Sequence, residues 1–318
     1  MIAVLCGGVG AARFLRALRL VVDPAEVVGV VNTGDDTVLH GLSISPDLDT
    51  VTYTLAGAID PQRGWGLVDE SWHAMAALER YAAVRPAGSQ AAPTWFNLGD
   101  RDLATHFYRT ARLAEGAPLS AVTDEVRRAW GVPERLLPMT DDRVATLVTL
   151  TDGSTVSFQE YFVQLRHAVP VSAVAFEGAA RAMLLPDAAQ ALRAADAIVI
   201  APSNPLVSIG PLRALAGLDD LLGERREQVV AVSPIVGGAA LKGPADRMLI
   251  ELGHDASVVG VARLYAPVAS TLVIDPADAH LAAAVEQAGM RAVVVPSVMS
   301  SPEVAAGLAR TTLAAAGS

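Results

Sequence analysis

Several things are scarce in this chain of 318 residues, and each scarcity removes a class of protein. There is one cysteine, Cys6, inside the first apolar run, so neither a disulfide framework nor a cysteine metal cluster is available. Basic groups number 24 against 34 acidic ones, and a net charge of −10 lacks the electrostatic footprint of a nucleic-acid-binding protein. Lys242 is the only lysine among those basic residues, which fits the arginine and alanine bias of a GC-rich genome and makes the one retained lysine worth following. No stretch reaches the ~18 apolar residues that a membrane helix needs. The opening MIAVLCGGVG has no basic segment and runs directly into a glycine turn, so it reads as a strand and not as a secretion signal. Charged residues are only 18% and hydrophobic ones 52%, which excludes intrinsic disorder. The expectation is a soluble cytoplasmic enzyme with no membrane and no nucleic-acid partner.

What is present is an alternation of short β-rich runs with helical stretches, the pattern of a parallel sheet with crossover helices. Strands are expected at 2–6, 26–31, 144–150, 171–176, 197–201, 228–232, 271–274 and 292–295. Helices are expected at 11–21, 186–195, 243–252, 276–288 and 302–316, several with proline in the first turn, where its missing N–H costs nothing. The alternation lapses between about 60 and 138. There helical periodicity marks 69–81, 103–113 and 120–130, and a Pro/Gly/Ser-rich joint lies at 85–93. The fold class is therefore α/β: one Rossmann-like domain over 1–318, a mostly parallel sheet with flanking helices, and a helical insertion at 60–138 over the carboxyl edge of the sheet. Thr151-Asp152-Gly153-Ser154 reads as a hairpin turn.

Four loops at expected strand ends carry the chemistry. The first strand runs into Gly7-Gly8-Val9-Gly10, a turn that lets backbone N–H groups approach a phosphate at a helix N-terminus or that serves packing alone. The dinucleotide fingerprint fails, because Arg13 stands where its third glycine or alanine belongs, and no Lys-Ser/Thr pair makes a P-loop. The second strand ends in Asn32-Thr33-Gly34-Asp35-Asp36, without the acidic tip residue that grips a ribose in a nicotinamide enzyme, which argues against a dehydrogenase. Asp35, Asp36, Asp47 and Asp49 fall within one connection. They are either hard oxygen ligands for a divalent cation or, for Asp47 and Asp49, a turn former and the cap of a helix from Thr50. Further on, Ser203, Asn204, Ser208 and Gly210 follow one strand, and Ser233, Gly237, Gly238 and Lys242 follow another. Polar and glycine-rich loops at several carboxyl ends mark a nucleotide site at the switch in strand order. In the insertion, Asp102 is a candidate N-cap, and His106 and Arg109 share a helix face, aimed into a cleft or salt-bridged. Trp65, Trp72, Trp95, Phe96 and Phe107 are there either as core or as a ring-stacking platform.

Taken in order, GGVGAARF at 7–14, NTGDD at 32–36, HGLSISPDLDTVTYTLAG at 40–57, IDPQRGWG at 59–66, NLGDRDLATH at 97–106, LPMTDD at 137–142, APSNPLVSIGP at 201–211 and SPIVGGAALKGPADRM at 233–248 resemble the CofD/FbiA-type transferases of coenzyme F420 biosynthesis. The resemblance spans essentially the whole chain. It implies transfer of a phosphorylated three-carbon acid from a guanosine diphosphate-linked donor to the terminal ribityl hydroxyl of the deazaflavin Fo, with GMP leaving. The donor is enolpyruvyl- or lactyl-diphosphoguanosine, and the IDPQRGWG stretch and the genomic bias favour the phosphoenolpyruvyl form of the actinobacterial branch. Mg²⁺ is implied, with Asp35 and Asp49 as first-choice ligands, Asp47 next and Asp36 in reserve. The resemblance further implies Fo contacts at Asp49, Asn97, Arg101 and His106. It puts GDP/GMP contacts at Gly7, Gly8, Gly10, Asn32, Thr33, Ser203, Asn204, Ser208 and Gly210, catalytic roles at Asp35 and Asp49, and a homodimer. A distant branch with a similar glycine turn and NTGDD-like loop looks regulatory, a sensor of nucleotides or nucleotide sugars. The full PDLD-to-NLGDRD region here favours the transferase.

Overall fold

The computed structural model describes residues 1–89 and 91–317. Seven strands form one all-parallel sheet: β1 (Ile2–Cys6), β2 (Val27–Val31), β5 (Arg135–Pro138), β9 (Ala197–Ile200), β10 (Val229–Val232), β13 (Thr271–Ile274) and β14 (Arg291–Val294). Their order is β14-β13-β10-β9-β1-β2-β5. The chain lays β2 and β5 on one side of β1 and the later strands on the other, so the order reverses between β1 and β9. That is where an open α/β sheet leaves a crevice at the carboxyl ends of its strands.

The inner strands are apolar on both faces because helices cover both. Alternate residues divide them. Val4, Cys6, Val31, Val199 and Val230 join a core with α1 (Val9–Leu18), α2 (Pro46–Leu55) and α12 (Pro302–Ala314). Leu5, Val30, Ile198, Ile200 and Leu272 face the other way, onto α6 (Pro186–Ala194), α7 (Gly210–Arg213), α8 (Leu218–Glu224) and α10 (Val258–Tyr265). Each such side chain taken from water contributes about 1.5–3 kcal/mol. α9 (Ala245–Glu251) and α11 (Ala282–Gln287) complete the later crossovers, and among the described residues no helix is long and apolar enough to cross a membrane.

Two expected strands do not join the parallel sheet. β6 (Ala145–Leu150) and β8 (Val171–Glu177) pair antiparallel with each other, and β7 (Thr155–Ser157) joins β6 through the expected turn at 151–154, where Leu150 N–H donates to Ser154 O at 2.8 Å. The alternating burial of β6 is that of a sheet with one wet face, a period the short apolar run concealed. Conversely, residues 135–138 at the end of the expected insertion return as edge strand β5, where Pro138 removes a donor that the edge does not need. The helical part proper is α3 (His73–Ala82), α4 (Leu103–Ala114) and α5 (Leu119–Ala129). Two two-stranded ribbons, β3 (Thr37–Leu39) with β4 (Leu42–Ile44) and β11 (Ile235–Val236) with β12 (Ala239–Ala240), lie in loops that sequence reading left unassigned. The 276–288 helix divides into a 3-10 turn, Pro276–Leu281, and α11.

Candidate active site

A cavity of about 580 Å³ opens at the carboxyl ends of β1, β9 and β10, a size suited to a nucleotide-scale ligand. Its floor is the glycine turn, where close approach explains the glycines. A Cβ on Gly10 would lie 1.9 Å from Pro202 O, one on Gly8 2.5 Å from Asp47 Oδ1, and one on Gly7 2.5 Å from Ser208 Cβ. Gly7 N–H donates to Ser203 Oγ at 3.2 Å, so the β1 and β9 loops are locked together beneath the cavity. Gly8, Gly10, Asp35, Asp47, Asp49, Asn97, His106, Ser203, Asn204 and Ser208 line it. Gly7, Asn32 and Thr33 stand behind the lining. The Asn32 amide donates to Asp47 Oδ2 at 3.0 Å while its carbonyl oxygen accepts from Gly34 N–H at 2.8 Å. Gly210 opens α7 and admits the Phe176 ring, a packing role away from the cavity wall. Arg101 lies on the surface, donating to Val68 O at 2.6 Å.

The carboxylates divide into two groups. Asp35, Asp36 and Asp47 have no cationic partner in direct contact among the described residues. Burial first, and then the charge of Asp47, push Asp35 well above the ordinary carboxylate range, with Thr146 and Asn32 offsetting only part. Burial pushes Asp36 to about 8 against the hydrogen bond from Ser45 Oγ at 2.6 Å, and pushes Asp47 to about 6 against Asn32. Oδ1 of Asp35 and Oδ1 of Asp36 are buried without a hydrogen-bond partner. Buried oxygens that lack a counter-charge fit a hard divalent cation, whose binding would relieve both penalties.

Asp49 belongs to the other group. Ser45, not Asp49, stands at the N-cap of α2, so Asp49 lies within the first turn and points at α4. Its two oxygens take both terminal nitrogens of Arg109, the Nη1 contact at 3.1 Å, with both residues buried. His106 Nδ1 lies 3.4 Å from Arg109 Nη1, and its Nε2 3.3 Å from Asp102 Oδ2. Nδ1 is placed to accept from Arg109, whereas Nε2, for all its nearness to Asp102, is buried without a hydrogen-bond partner. Asp102 makes no capping hydrogen bond and takes the Tyr53 hydroxyl instead; against the upward push of burial, His106 and then Tyr53 hold it below the usual range. Among the described residues Asp49, Asp102 and His106 are the one trio of donor atoms close enough to hold a metal together. Arg109 occupies the oxygens a cation would need there.

Sequence reading missed part of the wall. Phe158 and Phe162 stack at 5.6 Å with planes 20° apart and, with Gln159, line the cavity from a π-helical turn, Glu160–Gln164, and the residues before it. Gln159 Nε2 donates to Asp35 O at 3.4 Å and Thr146 N–H to Gly34 O at 2.7 Å, so the antiparallel sheet braces the Asp35 loop. An aromatic pair four apart after a strand gives a signal only in retrospect. Of the insertion aromatics, Trp65 and Phe96 line the cavity, Trp72 and Trp95 pack about Met75 and Leu98, and Phe107 is exposed.

Fold and site together define a Rossmann-like α/β protein with a nucleotide-sized cavity at its switch point. A UPF0052-family protein from Bacillus halodurans has the same fold, with a TM-score of 0.61 at 14% identity over 98% of each chain. Residues 2–304 match the family described as 2-phospho-L-lactate transferase CofD, and the chain belongs to that family. Relatives named phosphoenolpyruvate transferase include one from Kitasatospora aureofaciens, 44% identical over 99% of this chain and 97% of its own. Another, from Mycobacterium tuberculosis, is 41% identical over 97% and 96%. The family is one of transferases.

Proposed function

We propose that this protein transfers a phosphoenolpyruvyl group from enolpyruvyl-diphosphoguanosine to the terminal ribityl hydroxyl of Fo, releasing GMP and forming dehydro-F420-0. The observation that carries the reading is the pairing, in one cavity, of an anion-receptive glycine turn with carboxylates that lack a counter-charge. The names of the relatives support the enolpyruvyl form over the lactyl one.

In the reaction the hydroxyl oxygen bonds to the phosphorus bearing the three-carbon acid, the bridging P–O bond to GMP breaks with its electron pair on the GMP oxygen, and the hydroxyl proton passes to solvent. Both partners are electron-rich, so alignment and charge neutralisation supply most of the catalysis. Gly8 and Gly10 line the cavity at the start of α1, where the phosphates would meet the helix N-terminus. Asp35 and Asp47, with Asp36 behind, would hold Mg²⁺, which when bound supplies positive charge to the diphosphate and the departing oxygen. Asp49, held on both oxygens by Arg109, positions the acceptor's side of the cavity, and the guanidinium competes with any cation for those oxygens. Asn97, Phe96 and Trp65 offer the acceptor a polar edge and apolar faces, and Ser203, Asn204 and Ser208 offer the nucleotide neutral hydrogen bonds.

Incubation with Fo, Mg²⁺ and each donor in turn tests this, read as GMP release and product mass. Product from the enolpyruvyl donor in preference to the lactyl one is expected. Tight nucleotide binding without transfer from either would transfer support to a nucleotide-sensing role.

A further inference from the structure

Two cations on the cavity wall have no part in the chemistry just described. Arg13 extends from the second turn of α1 and Lys242 from the loop between β12 and α9, and both line the cavity. Among the described residues neither pairs with a carboxylate. The third cation of the wall, Arg63, is committed, paired with Asp60 at 3.0 Å and lying over the Trp65 and Trp72 rings, and Arg109, behind the wall, holds Asp49. Lys242 Nζ lies 3.4 Å from Arg63 O, and a Cβ on Gly64 would come within 2.6 Å of that nitrogen and 3.7 Å of Val9 Cγ1. The ammonium therefore lies against the Arg63–Gly64 turn, which itself approaches Val9 of α1. Desolvation of its head, and then the charge of Arg13, draw Lys242 below the usual lysine range, so each cation lies in the other's field. Two like charges that share a cavity wall without a carboxylate partner favour an anion between them.

We infer that Lys242, with Arg13, recognises the carboxylate of the donor's three-carbon acid and thereby selects an acid-bearing donor over plain guanosine diphosphate. This rests on the donor proposed above. Such a donor carries one charge on each phosphate and a third on the acid. The glycine turn and the cation-binding carboxylates serve the phosphates. Trp65, Phe96, Phe158 and Phe162 give the wall apolar faces, so Lys242 and Arg13 are the charges left for the third anion.

The test compares Lys242→Ala, Lys242→Arg and Arg13→Ala with the wild type in KM for donor and for Fo, in kcat, and in equilibrium binding of GDP and of phosphoenolpyruvate separately. Lys242→Ala should raise donor KM about 10- to 30-fold, the loss of one charge-assisted contact, with kcat and Fo KM within about threefold. Lys242→Arg should restore most of it. GDP affinity should change less than about threefold while phosphoenolpyruvate binding is lost. An unchanged donor KM would overturn the inference, as would GDP affinity falling in step with donor KM, which would put the pair on the diphosphate. If the wild type transfers from neither donor, the proposed function fails. The separate binding measurements then still decide the pair: unchanged phosphoenolpyruvate binding in Lys242→Ala overturns it, and loss of that binding upholds it. Both side chains are exposed, so melting temperatures should stay within about 2 °C and certify the fold.

Discussion

Asp47 and Asp49 are two residues apart on the first turn of α2, yet they live in opposite electrostatic worlds. Asp49 faces α4 and meets a buried guanidinium; Asp47 faces the glycine turn and the Asp35 loop and meets only the Asn32 amide and other carboxylates. One group is a salt-bridge network with Arg109, His106, Asp102 and Tyr53, and the other is a set of acids, Asp35 buried and Asp36 and Asp47 half-buried, without a direct cationic partner. Burial alone does not make a metal site. What would suit one is a carboxylate without a direct cationic partner, a description that fits Asp35, Asp36 and Asp47 and not Asp49.

The sharpest way to break the comparison is to remove the compensation. Arg109→Ala leaves Asp49 as an unpaired buried charge and should destabilise the fold by about 3–5 kcal/mol, measured by urea unfolding near neutral pH. If it costs under about 1 kcal/mol, the two groups are not different in kind. Asp35→Asn works in the opposite direction. It should cut Mg²⁺-supported transfer about 10²-fold or more while leaving the metal-free protein as stable as before or more so, since an uncompensated buried acid has been removed. Parallel losses of activity and stability would place Asp35 in the structural group.

The acidity of the open group yields a third prediction. Asp36 and Asp47 bind protons more tightly folded than unfolded, with folded values of about 8 and about 6. Between roughly pH 4 and those values the folded chain keeps protons that the unfolded chain has released, so metal-free stability falls as pH rises through that window. The melting temperature should drop by about 3–6 °C from pH 5 to pH 8, and added Mg²⁺ should restore it more at pH 8 than at pH 5. A Mg²⁺ effect independent of pH would deny these acids the ion. The smallest effect belongs to Arg101, outside both groups. Arg101→Ala should leave Fo KM within about twofold and stability within about 0.5 kcal/mol, and a larger KM change would bring the surface loop into the acceptor's path.

Much of the scaffold was legible because its signals are local. The short apolar runs of β1, β2, β9, β10 and β13, the glycines after β1, and the prolines opening α6 and α12 each state their element within a few residues. The α10 segment was not legible: Ser257 caps it by accepting from Val259 and Gly260 N–H, but its β-branched residues and Gly260 read against a helix. Nor was the membership of β6 and β8 in a second sheet, because pairing partners are not written in either strand.

The amino-acid order by itself brought Asp35, Asp36, Asp47 and Asp49 into one connection after β2, and singled out Lys242 by its rarity. It could not say that Arg109, sixty residues beyond Asp49, would pair with that carboxylate, nor that Lys242 and Arg13 would line the same cavity. Those assignments depend on how α2 meets α4 and how the β12–α9 loop meets the insertion. Charge and burial act through space at a few ångströms, and only the folded chain fixes which charges are that close.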